Sequence, residues 1–243
     1  FPTRRSSDLV FSGLTLITVL ISLFAPAVGS FEKDLEANGL SQAQTKMKLT
    51  RTNAENSQAT SFGVNKGVTI LGDSVALRSK DQIESSIDNV AIDAVVSRNL
   101  STINDLLKDY ADSNALAKDV VIAGGVNEID DYKGVINKII KNLPKGHRII
   151  FVTPYNGSKS GNEAASLVQL RKYELEMAKK YDFVTVADWY QIAKENISIW
   201  NGTDGVHFGS DSDSINRGAK LYTNTIKEAI AKANKKPVKG GKK

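Results

Sequence analysis

The sequence predicts an α/β domain: a three-layer sandwich with a parallel, flavodoxin-like sheet of about five strands. Three observations predict it. Five short apolar runs recur, at Val68–Leu71, Val90–Val96, Asp119–Ala123, Arg148–Thr153 and Phe183–Ala187. Between them, apolar residues fall at helical spacing. The runs are apolar on both faces, as expected of parallel strands covered by helices on each side.

Composition sets the limits. The chain has 243 residues, room for one domain of ordinary size plus extensions. It has no cysteine, which excludes disulfides, thiolate metal sites and a cysteine nucleophile. The net charge of +5 is unevenly spread. The stretch from Ile230 to Lys243 carries six lysines and no acid, and without it the net charge is −1. Residues 234–243 read as a basic, disordered tail: a solvated end, or a weak adhesive for an anionic polymer. No basic stretch is interleaved with aromatics, so nucleic acid is not an expected partner.

Taken in order, residues 1–8 are expected to be a fragment end of no functional weight. Leu9 to Val28 is uncharged and rich in Leu, Ile, Val and Phe, and its 20 residues suffice to cross a bilayer. Residues 9–29 are therefore expected to form one transmembrane helix, and Arg4 and Arg5 put its N-terminal side in the cytoplasm. Two alternatives stand beside it. Ala25-Pro26-Ala27 fits a signal-peptide cleavage site, and a run without a polar face also fits a buried core helix. The span and the signal peptide both export the rest of the chain. Residues 30–66 are polar and read as a stalk, helical between Ser41 and Thr52.

The domain is expected over residues 67–233. After the first strand, Val75 to Ile87 has helical character. Leu100, Ile103, Leu106, Leu107 and Tyr110 mark the next helix; Val135, Ile136, Ile139, Ile140 and Leu143 another. Leu167, Leu170, Leu175 and Ala178 follow, and Leu221, Ile226 and Ile230 mark the last.

The chemistry-bearing residues cluster at strand ends. Gly72-Asp73-Ser74 closes the first strand, so the serine hydroxyl stands at the C-terminal edge of the sheet, beside a helix N-terminus. A serine needs a base, and the base needs an orienting group. Of two histidines, His147 lies in the turn entering the fourth strand and reads as a surface residue at the opposite edge. His207 lies in a Gly-containing loop before the last helix, and Asp204, three residues earlier, can fold back onto its ring. Gly124-Gly125-Val126-Asn127 ends the third strand, where Asn127 can aim an N–H at an oxyanion. Ser97, after the second strand, can offer a main-chain N–H. Asp211 and Asp213 read as charge pairing at the start of the last helix rather than as metal ligands.

Together, Gly72, Asp73 and Ser74, then Ser97, then Gly125 and Asn127, then Asp204 and His207 resemble the SGNH (GDSL-like) hydrolase superfamily, over about Val68 to Ala233. The chain departs at Ser97, where that family usually carries glycine. The segments Thr69 to Ala76, Val121 to Asn127 and Asp204 to His207 are closer still to the extracellular C-terminal domain of OatA-type peptidoglycan O-acetyltransferases. The resemblance implies catalysis by Ser74, Asp204 and His207. It implies an oxyanion hole from Ser74, Ser97 and Asn127, supported by Gly72, Asp73 and Gly125, with no metal or cofactor. The implied acceptor is the C6 hydroxyl of N-acetylmuramic acid in the peptidoglycan glycan strand. The implied acetyl donor reaches the site through an integral-membrane acyltransferase domain. The implied location is a Gram-positive-type cell membrane, with the catalytic domain outside. An exported carbohydrate or lipid esterase, and a degenerate wall-binding module, remain as alternatives. A serine in place of glycine at 97 adds a Cβ and a hydroxyl, which should favour acetyl over longer acyl groups.

Overall fold

All five residues of β1 (Val68–Gly72) are buried, and the sheet is built outward from it. β2 (Val90–Ala94) pairs on one side and β3 (Asp119–Ala123) on the other, followed by β4 (Arg148–Val152) and β5 (Val184–Ala187). Every pairing is parallel and the order is β2-β1-β3-β4-β5. The computed structural model describes residues 62–127, 130–158 and 161–241, with Gln44, Lys46 and Met47. Residues 1–8, the run at 9–29 and most of the stalk lie outside the described residues. Among those described, no helix is long and apolar enough to cross a membrane.

Alternation of side chains along the strands splits the core in two. Ile70, Val121 and Ile150 point into one cluster. There they meet α1 (Ser74–Arg78), α2 (Lys80–Ser86), α6 (Trp189–Glu195) and α7 (Ser212–Ala233). Leu71, Val120, Ile122, Ile149 and Phe151 point into the other. There α3 (Leu100–Asp112), α4 (Tyr132–Asn142) and α5 (Gly161–Lys180) cover them. The strand order reverses at β1 and β3, so the crevice at their C-terminal ends is the topological switch point where such sheets bind ligands.

Five differences from the sequence-based expectation have physical causes. The helix expected over Val75 to Ile87 is two helices, because Ser79 sits at φ −97°, ψ 2° and its buried Oγ donates to Val75 O at 3.1 Å. β2 ends at Ala94, not Val96, because Ser97 turns into the left-handed region at φ +57°. The domain begins before residue 67: Val64 and Asn65 are buried, and Asn65 O accepts from Lys118 N.

The disordered tail expected from residue 234 is not seen: the chain is ordered to Gly241. Lys239 pairs by backbone with Gly146 and His147, and its ammonium donates to the carbonyls of Ile140, Lys141 and Leu143. Those are orphan carbonyls at the C-terminus of α4, where the helix dipole also favours a cation. Lys236 Nζ donates to Val184 O at 2.6 Å. His147 is likewise not a surface residue. It is 5% exposed, its Nδ1–H donates to Ala117 O at 2.8 Å, and burial lowers its pKa.

Candidate active site

Asp73 and Ser74 leave β1 at the switch point. Asp73 N–H donates to Ala123 O, holding the chain against β3 for one more residue. Its buried carboxylate then caps α1, accepting from Val75 N at 2.9 Å. Burial raises Asp73 to about 6, against hydrogen bonds from Val75 and Ala76 that lower it. Capping by Asp73 leaves Ser74 as the first residue of the helix. Its own N–H is one of the donors that a helix start leaves without an intrahelical acceptor. Gly72 has to be glycine, because a Cβ there would lie 2.5 Å from Ala76 Cβ.

The loop before α7 supplies the partners. His207 Nε2 lies 2.8 Å from Ser74 Oγ. His207 Nδ1 lies 2.7 Å from Asp204 Oδ2. The other Asp204 oxygen accepts from Val206 N and His207 N at 2.9 and 2.8 Å, so a tight turn fixes the carboxylate relative to the ring. Partial burial would raise Asp204, but the bonds from the His207 backbone and ring and from Val206 outweigh it and hold the carboxyl at about 2. An ionised carboxylate only accepts, so Nδ1 carries the imidazole proton and Nε2 is free to accept from Ser74.

Two contacts that the sequence did not reveal hold this loop. Arg78, one turn after Ser74 on α1, donates from Nε to Phe208 O and from its NH2 group to Gly209 O, both at 2.7 Å. Gly157, after β4, donates to Gly205 O at 2.8 Å. The only sequence signal for Arg78 was a cation four residues beyond the serine. For Gly157 there was none.

On the other side of Ser74, Asn127 Nδ2 donates to Arg98 O at 3.3 Å, which sets the amide against the turn carrying Ser97. Gly125 enters at φ +111°, and a Cβ there would lie 2.8 Å from Leu170. Ser97 is exposed, and the turn around it is anchored by the buried Arg98. That guanidinium donates to Gly72 O, Asp93 O and Asp93 Oδ1, at 3.1, 2.7 and 2.9 Å. Tyr110 donates to the second Asp93 oxygen. The structure thus brings Ser74, His207 and Asp204 into one hydrogen-bonded row and sets Asn127 beside the Ser97 turn.

Asp211 is the N-cap of α7 in a capping box with Ser214. Among the described residues, no group of three or more His, Asp or Glu side chains is placed to hold a metal ion.

No family model matches the chain. The chain is 44% identical to the C-terminal catalytic domain of peptidoglycan O-acetyltransferase A (OatA) from Streptococcus pneumoniae, solved with a methylsulfonyl adduct. That match covers 72% of this chain and 98% of the other, with a TM-score of 0.71. Over 167 residues the chain is 28% identical to YrhL of Bacillus subtilis, a protein that carries the name of a peptidoglycan O-acetyltransferase. That alignment takes in 68% of this chain but only 24% of YrhL. A lipolytic G-D-S-L family protein from Veillonella parvula shares the fold, at 16% identity and a TM-score of 0.55 over 68% of this chain and 98% of that one. On the 44% identity across nearly the whole pneumococcal domain, the chain belongs to the OatA-type peptidoglycan O-acetyltransferase family, on the SGNH (GDSL-like) fold.

Proposed function

We propose that this chain is the catalytic part of a peptidoglycan O-acetyltransferase that moves an acetyl group through an acetyl-serine at Ser74. The observation that carries the reading is the unbroken row from Asp204 through His207 to Ser74, with spacings of 2.7 and 2.8 Å.

The chemistry follows from that row. His207 Nε2 takes the hydroxyl proton as Ser74 Oγ attacks the acetyl carbonyl of the donor. The oxyanion is held by the N–H groups of Ser74 and Ser97 and by Asn127, whose amide keeps one hydrogen after donating to Arg98 O. The donor's carbonyl–oxygen bond breaks, and its leaving oxygen takes the proton from His207. The acceptor hydroxyl, the C6–OH of N-acetylmuramic acid, then gives its proton to His207 and attacks the acetyl-serine. Ser74 leaves and recovers the proton. Asp204 accepts from Nδ1–H throughout and stabilises the imidazolium formed in both halves.

We place the catalytic domain outside a Gram-positive-type cell membrane, on the support of the uncharged run at 9–28 preceded by Arg4 and Arg5. The acetyl donor is supplied by an integral-membrane acyltransferase domain, a partner that the OatA-type family membership supports. The competing outcome is hydrolysis. The His207 and Asp204 side chains are 37% and 57% exposed, so water reaches the base. Incubating the protein with an acetyl ester, with and without soluble glycan fragments of peptidoglycan, separates the outcomes. Transfer predicts acetylated sugar. Acetate alone in the presence of glycan identifies an esterase, and neither product identifies a binding module.

A further inference from the structure

Three aromatic rings stand together at the catalytic edge without a role in the acyl chemistry. Tyr155 follows β4, Tyr190 is the second residue of α6, and Trp200 ends the 3₁₀ turn Ile197–Trp200. Their centroids lie 5.5 Å apart for Tyr155 and Tyr190, and 5.0 Å for Tyr155 and Trp200. All three are partly exposed. Behind them lies a buried second layer of Trp189, Phe208 and Tyr222. Phe208 is the residue after His207, so the outer rings rest on the layer that also carries the catalytic loop.

Tyr155 ties the group to the residues on either side of the nucleophile. Tyr155 lines a hollow shared with Asp73, Val75 and Val126. Its loop is bonded to the Asp204–His207 loop through Gly157 N and Gly205 O. The polar edge of Trp200 is already satisfied, with Nε1–H donating to Ala193 O at 2.8 Å, so only its ring faces remain for contact. Arg171 stacks on Tyr190 at 5.2 Å, but its charge is matched by Asp188 at 2.7 Å. The patch is therefore aromatic and neutral, and it carries two phenol hydroxyls for which no hydrogen bond is seen among the described residues.

A neutral aromatic surface that also carries phenol hydroxyls matches a pyranose ring. One sugar face presents C–H groups that pack on π-faces, and its rim presents hydroxyls. An acyl chain would need an enclosed apolar slot, and a polyanion would need unpaired cations. Resting on the transferase reading above, we infer that Tyr155, Tyr190 and Trp200 form the acceptor subsite, stacking on a sugar ring of the glycan strand next to the one that is acetylated.

Two measurements test this on Tyr190→Ala and Trp200→Ala, with Trp200→Phe as the conservative partner and melting temperatures as the check on folding. In the first, transfer from an acetyl ester is followed against the concentration of soluble glycan oligomers. The acceptor KM is expected to rise about tenfold in each alanine variant, the loss of one aromatic stacking contact. Formation of acetyl-Ser74 without glycan should stay within about twofold, and Trp200→Phe should retain most of the parent's affinity. In the second, direct binding of the same oligomers is measured on the Ser74→Ala background, where no transfer occurs. Weakened binding in folded alanine variants supports the subsite even if the parent proves to be an esterase. Unchanged acceptor KM and unchanged binding in folded variants overturn it. A matching loss in acylation overturns it too, by assigning the rings to the donor. A parent that neither transfers to nor binds glycan overturns both readings.

Discussion

Ser97 is where this chain pays for a side chain. Its φ of +57° is a conformation that costs an L-residue about 1–2 kcal/mol and a glycine little. Serine survives there because Arg98, the next residue, is anchored to Gly72 O and to Asp93. Ser97→Gly should therefore fold at least as well, gaining up to about 1 kcal/mol in denaturant titration. It should keep acetyl-ester turnover and accept propionyl and butyryl esters better than the parent. Equal rates on all chain lengths in the parent would remove the size argument. Ser97→Pro is a poor probe of the N–H, because proline's φ near −65° cannot enter this turn. Asn127→Ala tests the other donor. Its one described hydrogen bond goes to Arg98 O, so the variant should lose roughly 10²–10³ in kcat with little change in melting temperature. A lower melting temperature at full activity would make Asn127 a turn residue only.

At the scale of elements, the site depends on two links between segments distant in sequence. The first is Arg78, which ties the helix bearing Ser74 to the backbone just after His207. It is a positioning residue. Arg78→Ala should lower kcat with KM for the acetyl ester unchanged, and Arg78→Lys should fail to restore it, because an ammonium lacks the two-pronged fork. Full rescue by lysine would show that only charge matters. The second is Lys239 at the end of α4. Lys239→Ala should cost about 1 kcal/mol of stability and leave acetyl-ester turnover unchanged. No loss of stability would mean that the C-terminal segment contributes nothing to the fold.

The strands were legible because each is buried on both faces and therefore reads as an unbroken apolar run. Ser74, Asp204 and His207 were legible because a strand-ending serine and a short Asp-x-x-His spacing are local patterns. What was not legible depended on partners far along the chain. Burial of His147 is explained by the carbonyl of Ala117, and order in the lysine tail by carbonyls of α4 and β5. The break at Ser79 depends on one hydroxyl competing with a backbone donor.

At the scale of the whole molecule, Glu174 is the outlier. It is 1% exposed, and Oε2 has no hydrogen-bond partner among the described residues. Burial, with Asp188 nearby, pushes its carboxyl well above the ordinary glutamate range. A group whose folded pKa is raised contributes stability that is complete below its unfolded pKa and is lost as pH rises through the folded value. The protein should therefore lose stability from mildly acidic toward alkaline pH through this residue. Glu174→Gln, nearly isosteric and never charged, should flatten that slope and be more stable than the parent at the alkaline end. Identical slopes in the two proteins would show that Glu174 titrates normally.

The central claim is that Ser74 carries the acetyl group between donor and sugar. Intact-protein and peptide mass spectrometry after brief exposure to an acetyl ester tests it most directly, with glycan oligomers then added. The predicted result is one acetyl on the peptide containing Ser74, absent in Ser74→Ala, that disappears on adding glycan as an equal amount of sugar ester appears. An acetyl group carried on any other residue, or sugar ester formed by Ser74→Ala at the parent's rate, would contradict it.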